Sequence, residues 1–502
     1  MKYKCTRDSS YTVTASQAIV QGIAQNGGLF VPETLPAYSL ADLTGMEQQS
    51  YFDRAAKVVA DFLPEFTPAE VRECVEGAYG HGKFSGGHPA PVVAVKDGDC
   101  AMHILELWHG PTCAFKDMAL QLLPHLLTHS LRKTNCDKTA VILVATSGDT
   151  GKAALEGFRD VDGTKMLVFY PENGVSSMQK RQMNTQEGNN VSVCAIEGNF
   201  DDAQTGVKKL FVDSVINKQL NENGMLFSSA NSINWGRLLP QIVYYFSAYS
   251  DMLKEGAIRL GDKINVVVPT GNFGNILAGY YAMEMGLPVN KFICASNSNN
   301  VLTDFLKTGE YNRNRPFHAT ISPSMDILIS SNLERLLYEV TGHDCTKVAG
   351  WMQELSEKGS YKVDDETFAK IQSVFDAGFC DDKATLATIR KVHDNGGYLC
   401  DTHTAVAVNV YEDYVARTGD KTPAVIVSTA SPYKFAPSVL SAVDDHYDGA
   451  ADEFHQVERL SALTGTTVPE PIAALEEKEV RFRNVCAKED MGAELLKMVG
   501  LA

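Results

Sequence analysis

The chain has 502 residues, with 45 Lys and Arg against 62 Asp and Glu and a formal net charge of −17. With 44% hydrophobic and 21% charged residues it has an ordinary globular composition, which excludes a disordered, collagen-like or coiled-coil chain; its length suggests about three domains, or two large lobes with an appendage. So acidic a surface repels nucleic-acid backbones and anionic membranes, which leaves a small anion in a local basic pocket as the compatible charged partner.

The opening MKYKCTRDSS lacks an apolar core of the secretory kind, and no apolar run is long enough to span a bilayer. Eleven cysteines lie scattered from Cys5 to Cys486 without a C-x-x-C pair, which reads as reduced thiols. These features predict a soluble, cytoplasmic protein. Residues 1–95 read as helical pieces broken at Asn26-Gly27-Gly28, Val31-Pro32 and Leu35-Pro36, with one helix over Glu70–Ala78 after Thr67-Pro68.

Beyond residue 100 the rhythm changes. Short β-branched runs at Thr139–Ala145, Lys165–Tyr170, Val191–Ile196, Ile264–Pro269, Lys291–Ala295 and Ala424–Thr429 predict strands. Between them Gly151–Phe158, Val175–Thr185, Asp201–Ile216, Trp235–Leu253 and Asn275–Met285 have helical patterns. Continuous apolar strands alternating with helices predict parallel sheets covered on both faces, hence an α/β fold of two doubly wound lobes. The expected division is an N-terminal helical region over 1–95, a smaller lobe over 96–215 and a larger one over 216–502, with a polar helical insertion near 300–395. Such sheets bind ligands where the strands end, so chemistry is expected in the loops that follow them.

In His109-Gly-Pro-Thr-Cys-Ala-Phe-Lys-Asp-Met-Ala119, a turn leads into an apolar helix over Leu120–Leu131, with Pro124 as a candidate bend. Lys116 sits at its start, where the helix dipole lowers an amine's proton affinity and favours a nucleophile; it also reads as an ordinary surface lysine. His125 and His129 share a helix face, but no Glu follows His125, so no H-E-x-x-H metal motif forms and no metal is expected. Ala145-Thr-Ser-Gly-Asp-Thr-Gly-Lys-Ala153 fails the Walker pattern at Thr146 and Ala153. Ser147, Asp149 and Thr150 there suit a carboxylate or small phosphate, or equally a helix cap. Asn231-Ser-Ile-Asn-Trp-Gly-Arg237 offers amides and a guanidinium suited to phosphate. In Val268-Pro-Thr-Gly-Asn-Phe-Gly-Asn275 a strand feeds a helix through Gly271, Asn272, Phe273, Gly274 and Asn275, a cradle for an anion or a plain capped turn. Val427-Ser-Thr-Ala-Ser431 adds hydroxyls after another strand.

Taken in order, these segments resemble the threonine synthases of enteric bacteria and fungi, a branch of the fold type II pyridoxal-phosphate enzymes (tryptophan synthase β-like). The resemblance runs from Tyr3-Lys-Cys-Thr-Arg7 and Asn26-Gly-Gly-Leu-Phe-Val-Pro32 through the four central loops to about residue 436. It implies pyridoxal 5′-phosphate as cofactor and Lys116, in the smaller lobe, as the Schiff-base lysine and proton carrier. It further implies Gly271 to Asn275 as the cofactor-phosphate loop in the larger lobe, and Thr429 at the pyridine nitrogen. Asp149, Ser147 and Thr150 would lie on the side of the cofactor's 3′ oxygen and the substrate carboxylate, and Asn231 and Arg237 at the substrate's phosphate. The implied reaction converts O-phospho-L-homoserine and water to L-threonine and phosphate, the last step of threonine biosynthesis, in a monomer or homodimer. The alternatives are another fold type II lyase, such as a serine/threonine dehydratase or phospholyase, and a non-catalytic cofactor-binding homologue. Three positions depart from the family's usual pattern: Thr402 stands for Pro in Asp-Pro-His-Thr, Ser431 for a His before Pro-x-Lys-Phe, and Lys152 for a small residue.

Overall fold

The computed structural model describes residues 1–97, 100–146, 148–173 and 175–501. The chain opens on a small antiparallel sheet of β1 (Lys2–Cys5), β2 (Asp8–Thr14) and β3 (Phe30–Pro32) in the order β2-β1-β3. Helices Leu40–Glu47, Tyr51–Phe62 and Pro68–Tyr79 follow, the last started by a Thr67–Glu70 capping box with Pro68 in its first turn. The expected all-helical region is therefore partly sheet. Tyr3 and Cys5 point inward while Lys2 and Lys4 point outward, a period of two too brief in four residues to stand out from sequence.

Two larger sheets follow. In chain order the strands are β4 (Val92–Asp97), β5 (Cys100–Glu106), β6 (Thr139–Ala145), β7 (Thr164–Pro171), β8 (Val191–Glu197), β9 (Met225–Ser228), β10 (Ile264–Pro269) and β11 (Val289–Ser296). After them come β12 (Glu310–Asn312) and β13 (Ser360–Lys362), which pair with each other as a separate antiparallel ribbon, then β14 (Phe375–Phe379), β15 (Ala424–Ser428) and β16 (Val485–Ala487). One sheet has the order β16-β8-β7-β6-β9 and is parallel throughout. The other has the order β14-β11-β10-β15-β5-β4 and is parallel except at β4. All six predicted runs are strands, the last ending at Ser428 so that Thr429 falls in the loop.

Pairing rather than chain order assigns the other strands. β5 lies past residue 96 yet pairs with β15 in the six-stranded sheet, and β16, near the C-terminus, extends the five-stranded one beside β8. The insertion contributes β14 to the larger sheet, and its Asp376 and Gly378 hide that strand in the sequence. The helix predicted over Asp201–Ile216 is two, Phe200–Val212 and Ser214–Glu222, because the Asp213 side chain accepts from the amides of Val215 and Ile216 and starts the second. Among the described residues no helix is long and apolar enough to cross a membrane.

The chain passes from β5 to β6 through helices Lys116–Leu120 and Leu123–Lys133, and returns from β9 to β10 through the buried helix Trp235–Lys254. The first helix breaks at Gln121, ahead of Pro124, which sits in the first turn of the second. Lys116 thus lies on a crossover between the two sheets.

That crossover is packed against the helix Asp149–Phe158 without spare room: a Cβ on Gly157 would lie 1.9 Å from the Leu120 carbonyl oxygen. We expect Gly157→Ala to lower stability by about 1–3 kcal/mol or more in urea unfolding. Gly350→Ala, exposed in the helix Cys345–Lys358 and with nothing within 4 Å, should instead add about 0.5–1 kcal/mol.

Candidate active site

The backbone around Lys116 is held against the end of β15. Ala114 pairs with Ala430 as an isolated antiparallel bridge, the Phe115 amide donates to the Thr429 carbonyl at 2.8 Å, and the Ser431 amide donates to the Cys113 carbonyl at 3.0 Å. Cys113 turns the chain at φ 57°, an unfavourable region for a side-chain-bearing residue, held here by these bonds. Behind Lys116, the buried Asp117 carboxylate accepts from the Thr112 amide at 2.8 Å and its hydroxyl at 2.6 Å. Burial pushes Asp117 up to about 6 despite these bonds.

Lys116 Nζ is nearly buried, 3.4 Å from Ser324 Oγ and 3.7 Å from Asp149 Oδ2. Burial lowers its proton affinity, the Asp149 carboxylate opposes that, and the cations of Lys434 and Arg237 add to it. The dipole argument for Lys116 therefore gives way to desolvation as the main cause. Asp149 opens the helix Asp149–Phe158, and its other oxygen is 2.7 Å from Lys434 Nζ and accepts from Gln179 Nε2 at 3.0 Å. Burial would raise Asp149, but Lys434 and Lys116 hold it well below the usual carboxylate range.

Ser324 comes from the loop ahead of the helix Leu333–Val340. Its amide donates to His403 Nε2 at 3.1 Å, which places the ring proton on Nδ1, 2.7 Å from Asp401 Oδ2. The same loop is pinned by Asp326, whose carboxylate accepts from Asn297, Asn299 and both the amide and hydroxyl of Thr320. The Asn-rich turn after β11 thus serves to place Ser324.

The glycine turn after β10 meets this loop from the other side. A Cβ on Gly271 would lie 2.7 Å from the Ser324 carbonyl oxygen, so only glycine allows the approach. The carbonyls of Gly271 and Asn272 accept from Ser330 Oγ at 2.8 Å and the Asn332 amide at 3.1 Å. Phe273 has φ 62° and ψ 3°, its buried ring against Phe375, and no side chain caps the helix Gly274–Glu284 that begins there. Asn275 Oδ1 accepts from the hydroxyls of Tyr244 and Tyr245, both at 2.6 Å, while its buried Nδ2 has no partner. An uncapped helix start with an orphaned amide donor fits a phosphate group.

Arg237, in the first turn of Trp235–Lys254, is 4% exposed and among the described residues makes no ion pair. Nη1 donates to the Ala230 carbonyl at 2.6 Å, Nε has no partner, and burial pulls the guanidinium down to about 10. A buried cation without a carboxylate suits an anionic ligand. Asn231 lies exposed at the mouth of the same turn, and Thr150 is half-buried beside Asp149. Thr429 is buried, its carbonyl committed to Phe115. Ser147 lies outside the described residues. Lys152 turns away into an ion pair with Glu156 at 3.1 Å and a bond to Gln186.

Sequence reasoning gave no role to Ser324 and Gln179, nor to Asp401, His403 and Lys434, although the last three fall in motifs compared there with the family's pattern. Only Asp401, which caps the helix Thr402–Thr418, left a local signal, and that signal reads as structural.

Three family models match in sequence order: "Threonine synthase N terminus" over residues 2–79, "Pyridoxal-phosphate dependent enzyme" over 88–430 and "Threonine synthase, C-terminal" over 404–494. The chain is 36% identical to threonine synthase of Saccharomyces cerevisiae over 99% of its own length and 98% of that protein's. It is 42% identical to threonine synthase-like 1 of Homo sapiens over 85% of its own length, but the match spans only 58% of that relative. Among solved structures, yeast threonine synthase aligns with a TM-score of 0.89 at 33% identity, covering 100% of this chain and 99% of that one. Pyridoxal-phosphate-bound threonine synthase of Brucella melitensis aligns with 0.87 at 35% identity, over 99% of each chain.

The buried Asp117 makes the site's stability pH-dependent. Its folded value of about 6 exceeds its ordinary 3.8, so its contribution is fully present below pH 4 and lost as pH rises through 6. Asp117→Asn should abolish that loss, and the difference between variant and parent in urea unfolding should change by about 2 kcal/mol between pH 4 and pH 7, in the variant's favour at the higher pH.

Proposed function

The chain belongs to the threonine synthase family of pyridoxal-phosphate-dependent enzymes, and we infer that it converts O-phospho-L-homoserine and water to L-threonine and phosphate. In this reading it performs the last step of threonine biosynthesis as a cytoplasmic monomer or homodimer. The observation that carries the reading is a buried amine of lowered proton affinity, Lys116, joined through the single residue Ser324 to a glycine turn with an unfilled donor.

Pyridoxal phosphate, when bound, supplies an electron sink for charge developing at the substrate's α carbon. Lys116 would be the amine for its aldehyde, and its Nζ would take the α proton and carry protons at the β carbon of the substrate. Gly271, Asn272, Phe273, Gly274 and Asn275 would hold the cofactor phosphate, with Asn275 Nδ2, which has no partner in the protein, as the side-chain donor. Thr429 would meet the pyridine nitrogen with a hydroxyl, which would not hold that nitrogen protonated as a carboxylate would. Asp149 lies on the side of the 3′ oxygen, and Ser147 and Thr150 on that of the substrate carboxylate. Arg237 and Asn231 bind the substrate's phosphate and hold it as the leaving group departs from the γ carbon. Two anions must bind in a protein of net charge −17, and the buried Arg237 and the uncapped helix start are the two local exceptions to that charge.

The test is to incubate the full chain with pyridoxal phosphate and O-phospho-L-homoserine and to measure threonine and phosphate together. Equal yields support the reading. Release of 2-ketobutyrate in place of threonine would make the chain a phospholyase, and cofactor binding without turnover a non-catalytic homologue. We expect Lys116→Ala to cut formation of both products by about 10²–10⁴-fold or more while some cofactor stays bound noncovalently. Arg237→Met should raise KM for the phosphorylated substrate about 10–100-fold, the loss of a charge-assisted contact.

A further inference from the structure

Around Lys116 Nζ, four elements each contribute one side chain. Asp149 comes from the helix on the smaller sheet, Lys434 from the turn Pro432–Phe435 after β15, Arg237 from the long crossover helix and Ser324 from the insertion. The next groups outward are each committed elsewhere: Asp117 to Thr112, Lys152 to Glu156, and His403 to Asp401. Of the three cations in this inner set, Lys116, Lys434 and Arg237, Lys434 alone has no place in the reading above, although it is fully buried and an isolated buried ammonium is costly.

The geometry gives it a task. A buried carboxylate facing one lysine would close on it and hold it as an ammonium, useless as a nucleophile. Here the tight pair goes elsewhere. Asp149 Oδ1 is 2.7 Å from Lys434 and is also loaded by Gln179, whereas Oδ2 stays 3.7 Å from Lys116, beyond hydrogen-bond distance. Lys434 is anchored by a second bond, to the Thr112 carbonyl at 3.0 Å, so it cannot follow Asp149 toward Lys116. Thr112 in turn holds Asp117, the residue after Lys116.

We propose that Lys434 is a positioning residue, a second buried ammonium that takes the close ion pair with Asp149 and so leaves Lys116 free to act as a neutral amine. The proposal rests on the reading of Lys116 as the cofactor's amine. It also predicts opposite effects of the two partners: Lys434 opposes charge on Lys116, and Asp149 favours it.

The experiment uses the full-length chain freed of cofactor, labelled with pyridoxal and cyanoborohydride across a pH series, with the label on the Lys116 peptide quantified by mass spectrometry. In Lys434→Met the carboxylate is left to Lys116 alone, and the labelling midpoint should rise by about one pH unit, a roughly tenfold slower reaction at a fixed pH below it. Lys434→Arg keeps the charge and should restore the parent midpoint. Asp149→Asn leaves only cations and should lower the midpoint by about as much. If Lys434 merely filled space, both Lys434→Met and Asp149→Asn would admit water and move the midpoint the same way, upward toward an ordinary lysine. That outcome, or an unmoved midpoint in folded Lys434→Met, overturns the proposal. Should Lys434→Met fail to fold, Asp149→Asn decides by the sign of its shift. Absence of label on Lys116 in the parent chain overturns the underlying reading instead.

Discussion

The site depends on a short stretch of backbone pairing between residues 113–115 and 429–431. Neither segment belongs to a regular strand, yet two hydrogen bonds, one in each direction, fix their register, and with it the point from which Lys116 projects. The pairing costs a left-handed Cys113, and it is stable because every amide and carbonyl it uses would otherwise be buried without a partner. One segment leads to the smaller sheet and the other leaves the larger one, so the same contacts that aim the lysine also join the two halves of the molecule.

The electrostatics build on that frame. Charges are sparse in an interior, and those gathered around Lys116 are arranged so that each is answered: Lys434 by Asp149, Lys152 by Glu156, His403 by Asp401. The exceptions are Arg237 and the start of the helix Gly274–Glu284, which the protein's own groups leave unneutralised. In an acidic protein an anion is drawn to such sites by local geometry, and the field of the whole chain works against it. Binding there should be selective for ligands small enough to enter the low-dielectric interior, where each contact is strong.

The parallel sheets were legible because buried strands read as continuous apolar runs, and six such runs are strands. Lys116, Asp149 and the Gly271–Asn275 turn were legible because each follows a strand or opens a helix, where local spacing carries the signal. Apart from the helix cap at Asp401, the missed parts carry no signal in their local spacing. Ser324 sits in a polar loop and is placed by an Asn297–Asn299–Asp326 knot that closes between residues far apart in the chain. Lys434 is one lysine in a turn, and only the fold reveals that no water reaches it. β5 and β14 carry His103, Glu106, Asp376 and Gly378, residues that argue against a strand until a neighbouring strand shelters them.

The three departures from the family's pattern can be weighed in the same terms. Lys152 would be an intruding charge beside the site, but it pairs with Glu156 one helical turn on and donates to the Gln186 side-chain oxygen, so its cation is committed away from Lys116. Thr402 occupies the first turn of its helix, where proline is favoured because its missing N–H costs nothing; the helix is instead started by Asp401, which accepts from the amides of His403 and Thr404. At Ser431 the essential contacts are the amide given to Cys113 and the hydroxyl that accepts from the Tyr433 amide. A backbone amide is independent of the side chain, so the register that aims Lys116 survives the change from the usual imidazole. What the change removes is an ionisable ring three residues before Lys434, so the buried pairing of that lysine with Asp149 stands without an imidazole beside it in the chain.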